Sequence, residues 1–175
     1  TQISDIAARN SKKLVVIACH HPFKSNGMHG GFYTLKQHIF PLTDLRKNLY
    51  IPLPVIGSIY PIARSVFGTP QDLKHPNYAN MVQEISAAAK ASAPNLVFVS
   101  GHDHNLQHIY EKNYNYIVSG GGCKQNRTSK SSNSLYNSSS MGFSVMEVSK
   151  NKNVTITLLD RIFSGISVNW TVPFS

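Results

Sequence analysis

Acidic side chains are scarce in this chain. Eight Asp and Glu stand against 17 Lys and Arg among 175 residues, for a formal net charge of +9. Such a balance invites acidic partners, but the basic residues are scattered, and a nucleic-acid interface needs clustered charge. No nucleic acid is therefore expected as a partner. Long apolar runs are lacking too. An extended apolar stretch, Tyr50 to Ile62, is interrupted by Pro52, Pro54 and Pro61, whereas a membrane-spanning helix wants about twenty mostly apolar residues without such breaks. Cysteine is limited to Cys19 and Cys123, from which no disulfide is inferred. Cys19 falls in an apolar run and is expected as a buried free thiol. No signal peptide is visible, which is uninformative because the chain is expected to open at Thr1 in mid-fold.

What is present is organised around Ser100-Gly101-His102-Asp103-His104-Asn105-Leu106-Gln107. The apolar run before it, Asn95-Leu96-Val97-Phe98-Val99, is short and β-branched and lies between Pro94 and Gly101, so it predicts a buried strand with histidines at its end. In an extended segment, residues two apart project to the same side with about 6.5–7 Å between their α-carbons. Imidazoles so spaced suit two neighbouring metal ions, which in two-metal hydrolases lie about 3.5–4 Å apart, better than one ion gripped by both. Lys13-Leu14-Val15-Val16-Ile17-Ala18-Cys19 repeats the design and ends at His20-His21-Pro22. Two such strands, each preceded by helix-like sequence, imply a parallel pair joined by a crossover, with ligands gathering at their carboxyl ends. His20, His102 and His104 are then expected to converge.

The remaining segments read as follows. Ile3, Ile6 and Ala7 lie at helical spacing, a second helix is expected to start near Thr34, and Tyr78, Met81, Val82, Ile85 and Ala89 mark the crossover helix. Gln107–Tyr110 and Tyr114–Val118 predict two strands about the turn Glu111-Lys112-Asn113, and Ser119-Gly120-Gly121-Gly122 follows as an anion-approaching loop or a plain turn. Residues 41–76, rich in proline yet apolar, predict a long loop that is a lid, a patch on a membrane or partner, or, the favoured reading, a loop packed on its own domain. Residues 124–140 are Ser/Asn-rich and predict an exposed, mobile loop. It contains two glycosylation acceptors, Asn126-Arg127-Thr128 and Asn137-Ser138-Ser139, relevant only in a secretory eukaryote. Alternating segments at 143–148, 154–158 and 166–172 predict antiparallel strands. The fold class expected is α/β with a mixed sheet.

The strand-His-x-Pro segment Val15–Pro22, the His29-Gly30 after it, and Gly-His-Asp-His-Asn-Leu-Gln at 101–107 together resemble the second half of a calcineurin-like metallophosphoesterase, closest to the purple acid and tartrate-resistant acid phosphatases. The resemblance covers roughly residues 10–40 and 78–122. It implies half of an α/β/β/α sandwich whose intact form holds two divalent or mixed-valence ions, iron, zinc or manganese. By resemblance His20 and His102 serve one metal and His104 the other. The same resemblance implies that His29 is the substrate-phosphate ligand or proton donor, that His21 either stands behind the metal ligands or faces substrate, and that Asp103 orients its neighbours or faces solvent. The family's first half supplies the carboxylates, and none of Asp5, Asp44, Asp72, Glu84, Asp103, Glu111, Glu147 and Asp160 lies in such a motif. The chain is thus expected to be a C-terminal half domain, basic by subtraction, whose partners are a phosphate-ester substrate, the missing amino-terminal half and, through an exposed sheet, further copies of itself.

The function expected is metal-dependent phosphoester hydrolysis by the intact protein, the fragment alone being inactive. The resemblance favours a periplasmic or secreted setting. The rival expectations are a non-catalytic binding module that keeps this fold and, further off, a basic nucleic-acid-binding domain. His38, His75 and His108 are expected as surface or packing residues.

Overall fold

The computed structural model describes residues 2–46, 48–161 and 166–171, the last six through their backbone alone. Helix α1 (Gln2–Arg9) leads into strand β1 (Val15–Cys19). Helix α2 (Leu35–Ile39), helix α3 (Ile56–Phe67) and helix α4 (Pro76–Lys90) come before strand β2 (Leu96–Ser100). Proline at the first position of α4 suits a helix start, because its missing N–H has no partner there in any helix. Strands β3 (Leu106–Glu111) and β4 (Tyr114–Ser119) form a hairpin. Lys112 and Asn113 both have positive φ, 50° and 67°, as a two-residue turn matched to strand twist requires. Strand β5 (Ser134–Ser138) and then β6 (Gly142–Val148), β7 (Asn153–Asp160) and β8 (Ile166–Thr171) complete the chain.

The first sheet has the order β1-β2-β4-β3-β5, and the second the order β6-β7-β8. β1, β2 and β4 run parallel, while β3 is antiparallel to both β4 and β5. The class is therefore α/β with a mixed sheet, as expected. The mixing arises inside the first sheet, however, and the terminal antiparallel strands form a sheet of their own.

Two cores flank the first sheet. On one face Ala7, Ala89 and Ala93 from the helical side meet Leu96, Phe98, Ile109 and Tyr116. On the other, Val97, Leu106 and Ile117 meet Ile156 and Leu158 of β7, whose alternate residues are buried. Phe98 stacks on Tyr116 with ring centroids 5.0 Å apart and touches Phe23 at 4.7 Å. Burying one such side chain contributes about 1.5–3 kcal/mol. Phe23 thereby pins the loop after β1 to the core, and that loop carries His20, His21 and His29.

Three expectations are corrected here. Cys19 is exposed rather than buried, because β1 is the edge of its sheet. Residues 41–76 are not one long loop packed on its own domain: they contain α3, whose apolar residues face outward. The Ser/Asn-rich stretch contributes β5, held by pairing with β3, which offers its backbone groups whatever the side-chain composition. Val172 lies outside the described residues.

Candidate functional site

The parallel register sets Cys19 opposite Ser100, so His20 and Gly101 leave the sheet side by side. The Gly101 amide donates to the His20 carbonyl at 3.1 Å. The next residue, His102, takes a left-handed backbone with φ of 55°, uncommon for a residue with a β-carbon. Its Nδ1 lies 3.1 Å from His20 Nε2. His21 and His29 join the group, each with its ring centroid 4.2 Å from that of His102. His20, His21, His29 and His102 thus converge at the carboxyl ends of β1 and β2. His104 makes no ring contact with them among the described residues, and reaches His102 only through its charge.

Burial, and then the charges of His29, His21, His20 and His104, lower the His102 pKa to about 4. Burial, followed by His20 and His29, lowers that of His21. Both rings are neutral near pH 7, the form in which an imidazole nitrogen offers a lone pair.

His29 is held in place by its neighbours. It sits on a single 3₁₀ turn, Met28–Gly30, and is only 7% exposed. Gly30 is required there, since a β-carbon would lie 1.9 Å from the Ser25 carbonyl oxygen. Asp72 Oδ1 lies 2.9 Å from His29 Nδ1, and Arg64 grips the same carboxylate from Nε and Nη2 at 2.9 and 2.8 Å. The Thr69 amide and hydroxyl add donors at 2.7 and 2.9 Å. Burial pushes the Asp72 pKa up, but the Arg64 and Thr69 hydrogen bonds outweigh it and hold the carboxyl near pKa 2. An ionised Asp72 fixes Nδ1 of His29 as the protonated nitrogen, which leaves Nε2 for other work.

Below the rings, a polar network ties the two loops together. The Ser25 hydroxyl donates to Asp103 and accepts from the Gly27 amide at 2.9 Å and from Gln107 Nε2 at 3.0 Å. Gln107 also donates to Asn105 at 2.7 Å and accepts from the Asn26 amide at 2.7 Å. Asp103 is fully buried, so of the two roles expected for it, orienting its neighbours is the one its geometry allows. Burial raises its pKa, with the Ser25 hydrogen bond acting against that. Gly120 lies directly beneath: a β-carbon there would meet the Asp103 carbonyl oxygen at 2.0 Å. The glycine run after β4 thus allows close approach of the chain's own loop. His38 bonds Ser58 at 3.1 Å and fully buried His108 bonds Asn115 at 2.8 Å, both packing roles as expected.

Asp72, Arg64 and Ser25 were not foreseen. Asp72 and Arg64 lie in the segment read as a loop, and no local pattern links either to His29.

The residues fit a metal in part. His102 Nε2 is buried with no hydrogen-bond partner, and the facing His102 and His20 nitrogens are about as far apart as neighbouring ligands of one tetrahedral ion, roughly 3.3 Å for nitrogens at 2.0–2.1 Å. Among the described residues, though, no group of three or more His, Cys, Asp or Glu is arranged to hold an ion. No carboxylate of the described chain enters the ring cluster except Asp72, which is engaged by Arg64. The donors suit one imidazole-bound ion such as zinc, and not a close pair, whose mutual repulsion an anionic ligand must offset.

No family model and no curated protein matches the chain. Among solved structures it is similar to GAP50, the anchor in the inner membrane complex of Plasmodium, with a TM-score of 0.53 at 16% identity over 99% of this chain and 42% of that one. At that identity the likeness shows the fold alone, and the chain spans less than half of its neighbour's length. Membership of the calcineurin-like phosphoesterases, drawn from the motifs at 15–30 and 101–107, is thereby corrected. Ligands of many kinds gather at the carboxyl ends of parallel strands, so short histidine motifs there do not by themselves identify a family, and they occupy a small part of this chain. GAP50 is the anchor in a membrane complex, while among the described residues here no helix is long and apolar enough to cross a membrane.

Proposed function

We propose that this chain supplies the histidine side of a metal-dependent phosphoester hydrolase site, completed by carboxylates from outside the chain. The observation that supports it is the convergence of His20, His21, His29 and His102 at the carboxyl ends of β1 and β2, with His29 braced by Asp72. His20 and His102 would hold one ion, and the chemistry such an ion supplies is Lewis-acid polarisation of a phosphoryl oxygen. His104 is placed in the proposal as a ligand of the second ion, its role depending on the added carboxylates. His29, when protonated, would deliver a proton from Nε2 to the leaving-group oxygen, and Asp72 orients its ring through Nδ1. His21, neutral and beside His102, faces the substrate phosphate. A periplasmic or secreted setting belongs to the same proposal, and cell fractionation checks it.

A second reading is a binding module without catalysis, favoured by the lack of a free carboxylate in the cluster among the described residues and by the similarity to GAP50, which is an anchor. The experiment that separates the two is hydrolysis of an aryl phosphate by the whole protein that contains this chain, in zinc, iron or manganese, with metal content measured on the same sample. The enzyme reading expects turnover that His29→Ala lowers by about 10²–10⁴-fold at unchanged metal content. No turnover with any of the three ions would leave the binding module standing.

A further inference from the structure

Helix α3 is turned inside out. Its small and polar residues face the protein. Gly57 and Pro61 are buried, Ser58 bonds His38 at 3.1 Å, Arg64 bonds Asp72, and the Ser65 hydroxyl donates to the Gly31 carbonyl at 2.8 Å. A β-carbon on Gly57 would lie 2.5 Å from the His38 carbonyl oxygen, so the contact with α2 is tight on that side. The opposite side carries Ile56, Ile59, Tyr60, Ile62, Val66 and Phe67, all exposed, Phe67 by 75%. At 100° per residue these side chains fill an arc of about 160° in which no charged residue occurs. The segment that enters the helix extends the patch through Tyr50, Ile51 and Val55, the last 82% exposed.

The rim of this patch is cationic. Lys36 lies over the Tyr50 ring at 4.5 Å and bonds its hydroxyl at 2.7 Å. Arg46 is exposed on the connecting segment. The two carboxylates of this region are engaged, Asp44 with Arg127 at 3.3 Å and Asp72 with Arg64 at 2.8 Å. A convex apolar ridge with tyrosines at its margin and basic residues around it complements one kind of surface, an apolar medium beneath an anionic skin. We infer that α3 and the segment before it seat the protein on the surface of a membrane containing acidic lipids. Its apolar arc would enter the boundary between headgroups and acyl chains, with Lys36 and Arg46 at headgroup depth. At twelve residues the helix is about 18 Å long, so it lies on the bilayer and does not cross it. A second copy of the chain is a poorer occupant, because pairing this face with itself sets one cationic rim against another.

The test is partition of the chain between buffer and vesicles. Phosphatidylcholine vesicles containing phosphatidylglycerol should pellet the protein, pure phosphatidylcholine should do so more weakly, and added salt should reduce the difference. Ile59→Asp combined with Phe67→Asp should lower the partition coefficient by about tenfold or more with an unchanged circular dichroism spectrum, since both side chains face solvent. Phe67→Trp supplies an independent reading: its emission should shift to the blue with anionic vesicles and be quenched by brominated acyl chains. Equal binding to neutral and anionic vesicles, an unaltered partition for the double Asp variant, or no spectral response from Phe67→Trp would each overturn the inference. So would a lipid-free dimer that the same double variant disperses, which would assign the face to a second copy.

Discussion

Asp72 Oδ1 lies 2.9 Å from His29 Nδ1, and the same oxygen accepts from Arg64 Nη2 at 2.8 Å. One carboxylate therefore joins the histidine loop to α3. The pair is buried, so removing the charge leaves the Arg64 guanidinium without its counter-ion and His29 without its orienting acceptor.

Asp72→Asn is expected to lower stability by about 2–4 kcal/mol, the range for breaking a buried, hydrogen-bonded ion pair whose geometry the amide partly keeps. Urea unfolding measures this. A loss below about 0.5 kcal/mol would mean that Arg64 finds water or another partner at no cost.

Zinc should bind the isolated chain weakly, at one ion per chain, and His20→Ala or His102→Ala should each weaken it by about tenfold or more, because two facing imidazoles are the donors within reach. Calorimetric titration gives both stoichiometry and affinity. Two tightly bound ions would show that a carboxylate reaches the cluster after all.

Acid should destabilise the fold partly through His108. Burial lowers its pKa, with the Asn115 hydrogen bond acting the other way, so the unfolded chain takes up the proton first. The His108 contribution is fully present above the ordinary histidine pKa of about 6.5 and is lost as pH falls below it. The urea midpoint should therefore fall below pH 6.5 in the wild type and fall less in His108→Gln. Parallel pH profiles for the two proteins would remove His108 from the account.

β1 is an edge strand, and Val16 on it is 40% exposed. An open edge with an apolar side chain invites strand pairing with another chain, and a lysine there opposes it. Sedimentation velocity should show concentration-dependent self-association that Val16→Lys suppresses. A wild type that stays monomeric at every concentration would mean that the edge is protected in some other way.

Strands ending in histidine were legible because their pattern is local: a continuous apolar run bounded by Pro94 and Gly101, or closing at His20-His21-Pro22, leaves little choice of element. The same holds for α4 and for the hairpin of β3 and β4. Helix α3 was not legible, because Pro52, Pro54 and Pro61 read as breakers, and its apolar residues show their meaning only when Gly57, Pro61 and Ser65 are seen to face inward. Sequence by itself determined most of the strands and which residue types stand at their ends, since those depend on neighbours a few positions away, whereas β5 exists through its pairing with β3. Tertiary structure decided that β1 is an edge, that the His29 ring meets that of His102 alongside His20 and His21, and that Asp72 and Arg64 stand behind His29. Each of these is a contact between distant segments, and it exists only once packing has brought them to the same place.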